Sequence, residues 1–437
     1  MSVTPARSND AAVQDTADRH FRRNSIFFVA EAASFMCGLA FFDSSTVYPV
    51  LLRKLGASDA VIGMVRFIQV LGFTLPAMMA AHYIHGRTYH KRFMLWTCAI
   101  ARVGLLSLPP ILLVAESRPA LALIWTISII GLFWLMDGAC AVSWFDIIAK
   151  CIPSRVRGRF FGTMQLAAGL AAAGAGLVVA SILHSPAWPF PVNFAMLAGL
   201  WFIGAMGSQL GLSLIVEPPG SSEAEEVRPT FRQYLKQVGP MLRHSPRIRM
   251  LIVSRILLDG AGIAAPFYVL FAQRDLGVSL RMVGLYTVAQ SIGRIAAGPL
   301  WGWLTDRFGT TIAVRGIALT IACTPIAALS SGSGKPWIMF AVFALLGAVM
   351  DGVWMVMSTA LLEAASDAER PLAVGVASVC QTPSALYAPI GGFMASALGY
   401  QAVFAAAAGI SASGVLAAFA IPPIRRAAGA NQPEPAS

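Results

Sequence analysis

Apolar residues run through this chain in long blocks separated by short polar breaks. Runs of about 20 apolar residues, the length that crosses a bilayer as a helix, occur at 26–49, 60–84, 93–115, 120–149, 160–183, 193–216, 249–272, 280–303, 312–330, 336–362, 372–397 and 401–423. The pattern predicts an all-α polytopic membrane protein with twelve transmembrane helices, numbered here as spans 1 to 12. Residues 1–25 are polar with mixed charge and read as a disordered cytoplasmic tail, and residues 424–437 as a second tail. The first apolar run has the length of a full span and lacks a small-residue cleavage site, so no signal peptide is expected.

The blocks repeat. A shift of 221 residues aligns Leu55-Gly56 with Leu276-Gly277, Ser58 with Ser279, Gly63 with Gly284, Gln69 with Gln290 and Gly72 with Gly293. A shift of 214 aligns Met136-Asp137-Gly138 with Met350-Asp351-Gly352. Two six-helix bundles are therefore expected, 26–216 and 249–423, in pseudo-symmetric relation. The linker between them, 217–248, opens with an acidic stretch rich in Pro, Gly and Ser. In its second part Phe231, Tyr234, Leu235 and Val238 recur at helical spacing while Arg232, Lys236 and Arg243 take other faces. That is the pattern of an amphipathic helix lying on the inner leaflet.

Composition agrees with the hydropathy pattern. At 57% hydrophobic and 12% charged residues, with a mean hydropathy of +0.68, the chain is too apolar for a soluble fold. Of its 32 Lys and Arg residues, 22 fall in the termini and loops that share one side and six in the opposite loops, while Arg66, Arg102, Arg255 and Arg294 lie inside spans. Positive residues collect on the cytoplasmic side, which places both termini there. The net charge of +11 follows from this asymmetry and points to anionic lipid headgroups, not nucleic acid, as the partner. Six cysteines without C-x-x-C spacing predict neither disulfides nor a structural zinc site.

The loop after span 8 reads Gly302-Trp303-Leu304-Thr305-Asp306-Arg307-Phe308-Gly309. It resembles the signature loop G-x-L-x-D-R-x-G of the major facilitator superfamily. The stretch after span 4, with Arg157-Gly158 and then Gly162, is similar to that family's R-G-x-x-x-G entry into span 5. The resemblance implies a transporter whose two bundles rock about a central cavity lined by spans 1, 4, 7 and 10. The matching first-half loop departs from the pattern: Ala81 stands for the leading Gly and His85 for the Asp that the family is thought to use in holding cytoplasmic helix ends together. A His there suggests gating sensitive to cytoplasmic pH. Span 5 lacks the family's drug-antiporter Gly-Pro pair, and span 11 keeps only a partial echo, Ala388-Pro389-Ile390-Gly391-Gly392.

No P-loop is present, so uphill movement requires an ion gradient, most simply protons titrating an intramembrane carboxylate. Each ionisable group at membrane depth costs about 2.5 kcal/mol or more, which marks it as functional or paired. The acids are Glu31 and Asp43 in span 1, Asp137 and Asp146 in span 4, Asp259 in span 7 and Asp351 in span 10. Asp137, Asp351 and Asp259 fall near the midplane. Asp137 and Asp351 have no basic residue within a turn of their own helix and are the first candidates for solute or proton binding.

Trp144 shares a face with Asp137, and Trp354 with Asp351, an arrangement that suits an organic cation. Arg294 either pairs with Asp259 or presents a cation to an anionic solute. Asp43 with Arg66 and Glu31 with Arg102 are expected as structural ion pairs, and Arg255 neutralises Asp259 at i,i+4. The expected function is secondary active transport of a small solute by a monomer in a bacterial-type inner membrane. Organic solutes rank first, then a transition metal such as iron, with His82, His85 and His90 as a possible exit site, then lipid. A non-transporting sensor or assembly factor is the alternative. No cofactor and no enzymatic constellation is expected.

Overall fold

The computed structural model describes residues 6–84, 87–219, 239–332, 335–365 and 370–422. The predicted linker helix, His85 and the chain termini lie outside this set. Ten helices among the described residues are long and apolar enough to cross a membrane. The remaining two runs are span 8, Arg281–Phe308, whose Gly, Gln and Arg content lowers its hydropathy, and span 11, which is broken in the middle.

Span 1 differs from expectation at its start. Its helix runs Ala6–Phe41, so residues 6–25 continue the span as helix instead of forming a disordered tail. The stretch after Pro5 holds Ala, Arg and Gln and neither Gly nor Pro, and adding turns to an existing helix avoids the cost of nucleation. The helix stops near Phe42, and the shorter helix Val47–Lys54 completes the crossing. Span 7 is built alike, with Pro246–Asp259, a 3₁₀ turn Gly260–Ile263 and then Phe267–Arg274.

The repeat is thus visible in conformation as well as in letters. Each outer helix of eight residues runs into a glycine of positive φ, Gly56 at 88° and Gly277 at 66°. A side chain is strained in that region, which accounts for the Leu-Gly pair in both halves. Span 11 breaks at Thr382–Leu386, where Pro383 lacks an amide hydrogen to continue the ladder.

Span 2 (Asp59–Ile84) packs on span 4 (Pro119–Cys151) within the first half, and span 8 on span 10 (Ile338–Ala364) within the second. Between halves, span 5 (Ser154–His184) lies on span 8, and span 2 on the outer part of span 11, Tyr387–Leu398. Both crossings run on small residues. A Cβ on Gly63 would strike the carbonyl of Ala388, and one on Gly284 the backbone of Gly176 and Ala180. Backbones this close maximise van der Waals contact where lipid supplies no hydrophobic drive.

The buried apolar residues divide unevenly between the two sides of the membrane. At the outer ends one core joins both halves, with Phe42, Tyr48 and Trp201 from the first and Tyr268, Tyr286 and Phe404 from the second. At the inner ends the cores are separate: Phe28, Met94 and Ile147 belong to a first-half cluster, and Trp301, Val314 and Val356 to a second-half cluster. The ends away from the chain termini, outer in the expected topology, thus share one apolar core across the halves, while the ends nearer the termini keep separate apolar cores.

Candidate functional site

Three levels of polar contact follow one another from the outer side inward. Outermost, Asp59 at the start of span 2 accepts a hydrogen bond from the Tyr400 hydroxyl at 2.9 Å and pairs with Arg53. Tyr400 opens span 12 (Tyr400–Phe419), and the guanidinium of Arg274 sits 4.1 Å over its ring. Below this, Thr46 and Thr287 share a hydrogen bond of 2.7 Å across the halves. The expected Asp43–Arg66 ion pair does not form directly. Asp43 instead accepts from the backbone amides of Ser45 (2.8 Å) and Thr46 (3.0 Å), capping the restart of the chain after the break in span 1, while Arg66 donates to Ser44 and Gln69. The two groups are neighbours, but each is satisfied first by the turn between Asp43 and Thr46 and by its own helix.

At the middle level Arg294, from span 8, reaches the thioethers of Met36 in span 1 (3.4 Å) and Met350 in span 10 (3.5 Å). Gln290, one turn earlier, donates to Met350 at 3.1 Å and lies 3.5 Å from Asp43. Arg294 therefore turns toward span 1, and Asp259 is neutralised by Arg255 at 2.8 Å, as the i,i+4 spacing predicts. On the first half, Phe133 stacks on Phe35 and Trp144 donates to Glu31 at 3.2 Å. Asp137 lies between Phe133 and Trp144 on span 4, so it faces the stretch of span 1 between Glu31 and Phe35, within the fields of Glu31 and Arg102 of the same half. Arg294 reaches span 1 from the other half, at Met36 and near Asp43. Asp137 is half-buried, and its carboxylate has no hydrogen-bond donor among the described residues. Asp351 follows Met350 on the span 10 helix, and its side chain lies outside the described set.

Glu31 is 5% exposed and joins Arg102 through an intermediary. Ser208 donates to Glu31 at 2.9 Å and accepts from Arg102 at 2.8 Å, while Arg102 also donates to Gln209 and to the Ala205 carbonyl. The expected pair is present as a bridged one. A serine in an apolar helix carries no sequence signal of such a role, which is why Ser208 was missed.

Inward of the midplane, Trp354 stacks on Phe145 across the halves, with ring centroids 6.0 Å apart. Trp144 and Trp354, paired in the sequence reading, therefore take different tasks: one holds Glu31 and the other meets Phe145. At the inner face Lys150 bridges Asp146 (2.7 Å) and Glu217 (3.2 Å), and His90 bonds Asp146 at 2.6 Å. Glu217 also accepts the amides of His90 and Lys91, capping the start of span 3. Arg157 closes the end of span 4 by donating to the carbonyls of Ala149 and Ile152. Gly158 and Gly302 face open space. Gly309 ends span 8 at φ 88°, ψ 161°, a conformation essentially reserved for glycine, and the Arg307 guanidinium lies 6.0 Å from the Phe308 ring, with Asp306 in the same last turn.

The sequence profile of the Major Facilitator Superfamily matches residues 250–436. That profile covers the second half of the chain, the half that carries the Gly302–Gly309 signature loop. It is similar to the MFS-type transporter SLC18B1 of Mus musculus, 24% identical over 313 residues, which cover 70% of this chain and 64% of that protein. The match thus spans less than two thirds of the mouse relative. Among solved structures, the nucleoside transporter NupG superposes with a TM-score of 0.69 at 14% identity, covering 91% of this chain and 99% of that one. A bacterial homologue of the iron transporter ferroportin in an inward-facing state gives 0.68 at 12%, covering 91% and 98%, and a D-xylose-proton symporter 0.67 at 14%, covering 91% and 98%. At these identities the superpositions establish the fold alone.

Proposed function

We propose that this chain is a major facilitator superfamily transporter, a secondary carrier that moves a small organic solute by alternating access and binds it at the midplane between the halves. The observation that carries the reading is the half-buried Asp137 carboxylate, which has no hydrogen-bond donor among the described residues, while Arg294 reaches span 1 from the other half. An acid left unsatisfied at membrane depth is costly unless a solute or proton completes it. Glu31, in the same network, is the second acid a proton can use, and an ion gradient is the energy source consistent with a chain that has no nucleotide loop. The Lys and Arg asymmetry supports cytoplasmic termini in a bacterial-type inner membrane.

The metal reading loses ground on one specific point. His90, Asp146 and Glu217 bring ligand atoms within 4.8 Å of one another. The Lys150 ammonium already occupies that position, and Glu217 is spent on capping. A cation would have to displace a fixed positive charge.

The test is thermal stability of the detergent-purified protein against a panel of organic cations, anions and zwitterions, with divalent metals beside them. A ligand at 100 times its dissociation constant adds roughly 2.7 kcal/mol to the folded state. A stabilising organic compound that loses its effect in Asp137→Asn and Arg294→Gln supports the site. Organic hits retained by both variants place binding elsewhere, and hits confined to metals overturn the solute class.

A further inference from the structure

Cys98 in span 3 (Lys91–Leu106) and Cys140 in span 4 stand with their sulfurs 2.8 Å apart. They are 42 residues apart in sequence and on different helices, so spacing gave no hint of the contact. Both are buried, 2% and 5% exposed, among Phe28, Met94 and Ile147. Among the described residues no other pair of cysteine sulfurs comes within hydrogen-bond reach: Cys151, for instance, is taken by Asn24 at 3.3 Å. The pair also borders the candidate site. Arg102 follows Cys98 by one turn, and Asp137 precedes Cys140 by three residues, so each thiol shares a helix face with one charge of the buried network.

We propose that Cys98 and Cys140 form a redox-convertible dithiol whose oxidation ties span 3 to span 4 by an intramembrane disulfide. The sulfurs already stand 2.8 Å apart, so less than an ångström remains to the roughly 2.05 Å of a sulfur–sulfur bond. Two S–H bonds break, one S–S bond forms, and two protons and two electrons pass to an acceptor. The acceptor class is an uncharged, membrane-permeant two-electron oxidant: a quinone, which becomes the quinol, or in the laboratory a diazene, which becomes the hydrazine. Burial selects this class, because water-soluble charged oxidants do not reach the sulfurs in the folded protein. The bond joins the helix that carries Arg102 to the helix that carries Asp137. Its effect on solute binding rests on the function proposed above, whereas its formation does not.

The experiment treats the folded, full-length protein with the diazene diamide, then denatures it and alkylates every remaining thiol. Four of the six cysteines are expected to alkylate, returning to six after reduction. Tryptic peptides 93–102 and 103–150 are expected to run joined until reduced. Cys98→Ser and Cys140→Ser should each keep all five thiols after the same treatment. The wild-type peptide map stands without the variants, should either fold poorly. Six alkylated thiols after oxidation, or a bond joining any other pair, overturns the proposal.

Discussion

Replacing Tyr400 by Phe removes one hydroxyl and leaves the ring, so it isolates the outermost contact between halves. Tyr400 is 2% exposed and Asp59 7%, and the hydroxyl links Asp59 at 2.9 Å with Arg53 at 3.1 Å. A hydrogen bond to a charged group contributes about 1.5–3 kcal/mol. That bond exists only while the outer ends of the halves are together, so its loss weakens the outward-closed state by that amount relative to any state in which they part. At 1.4 kcal/mol per factor of ten, the population of outward-parted molecules should rise roughly 10- to 150-fold.

Hydrogen exchange read by mass spectrometry reports this directly, because protection scales with the opening equilibrium. Exchange should rise in both partners of the interface, residues 44–63 of the first half and 387–400 of the second, and stay unchanged around His90 and Asp146 at the inner face. An increase confined to the start of span 12 would mean local fraying. No increase in either segment would refute the latch.

Gly309→Ala places a side chain at φ 88°, ψ 161°, and should lower stability by about 1–3 kcal/mol; Gly302→Ala, facing open space, should leave the melting temperature nearly unchanged. Arg102→Met leaves Glu31 buried without its bridged cation and should cost about 3–5 kcal/mol, while adding Glu31→Gln should restore much of the loss, a sign that a denaturant double-mutant cycle reads. Trp354→Ala removes a stacked pair worth about 0.5–1.5 kcal/mol, so exchange should rise several-fold at the inner ends of spans 4 and 10 and not at 44–63; equal rises at both ends would deny Phe145–Trp354 a place in an inner gate.

Features that depend on one element at a time were legible in the sequence. Apolar run length gave the spans, the Leu-Gly repeat anticipated two matched outer turns, and Arg255 and Asp259 paired because a single helix sets their geometry. Features that depend on rotation between helices were not. Asp43 and Arg66 lie near one another yet bond other groups, Asp43 the amides of Ser45 and Thr46 and Arg66 the side chains of Ser44 and Gln69; Glu31 meets Arg102 through Ser208, and Asp59 finds Tyr400 across 341 positions. Cys98 and Cys140 belong to the same group. Gly138 and Gly352 show a third case: a shared tripeptide suggested shared chemistry, yet each glycine also serves packing, one against the Phe73 backbone and the other against the Trp301 ring.

The charges sort by whether their partners lie in the same half. Glu31, Ser208 and Arg102 satisfy one another within the first half, and Arg255 and Asp259 within the second, so neither set changes when the halves move. Polar contacts that cross are few among the described residues: Tyr400 to Asp59 and Arg53, Thr46 to Thr287, Gln290 toward Asp43, Arg294 to Met36. Under the proposed alternating access, that short group sets the equilibrium between states together with the glycine crossings, the Phe145–Trp354 stack and the shared outer apolar core. A ligand shifts such an equilibrium only by its difference in affinity between the two states. A solute held by Asp137 alone would ride with the first half and bind both states nearly alike. One that touches Asp137 and Arg294 together binds differently as the halves part, which is why a site straddling span 1 suits a carrier better than a deeper pocket inside either half.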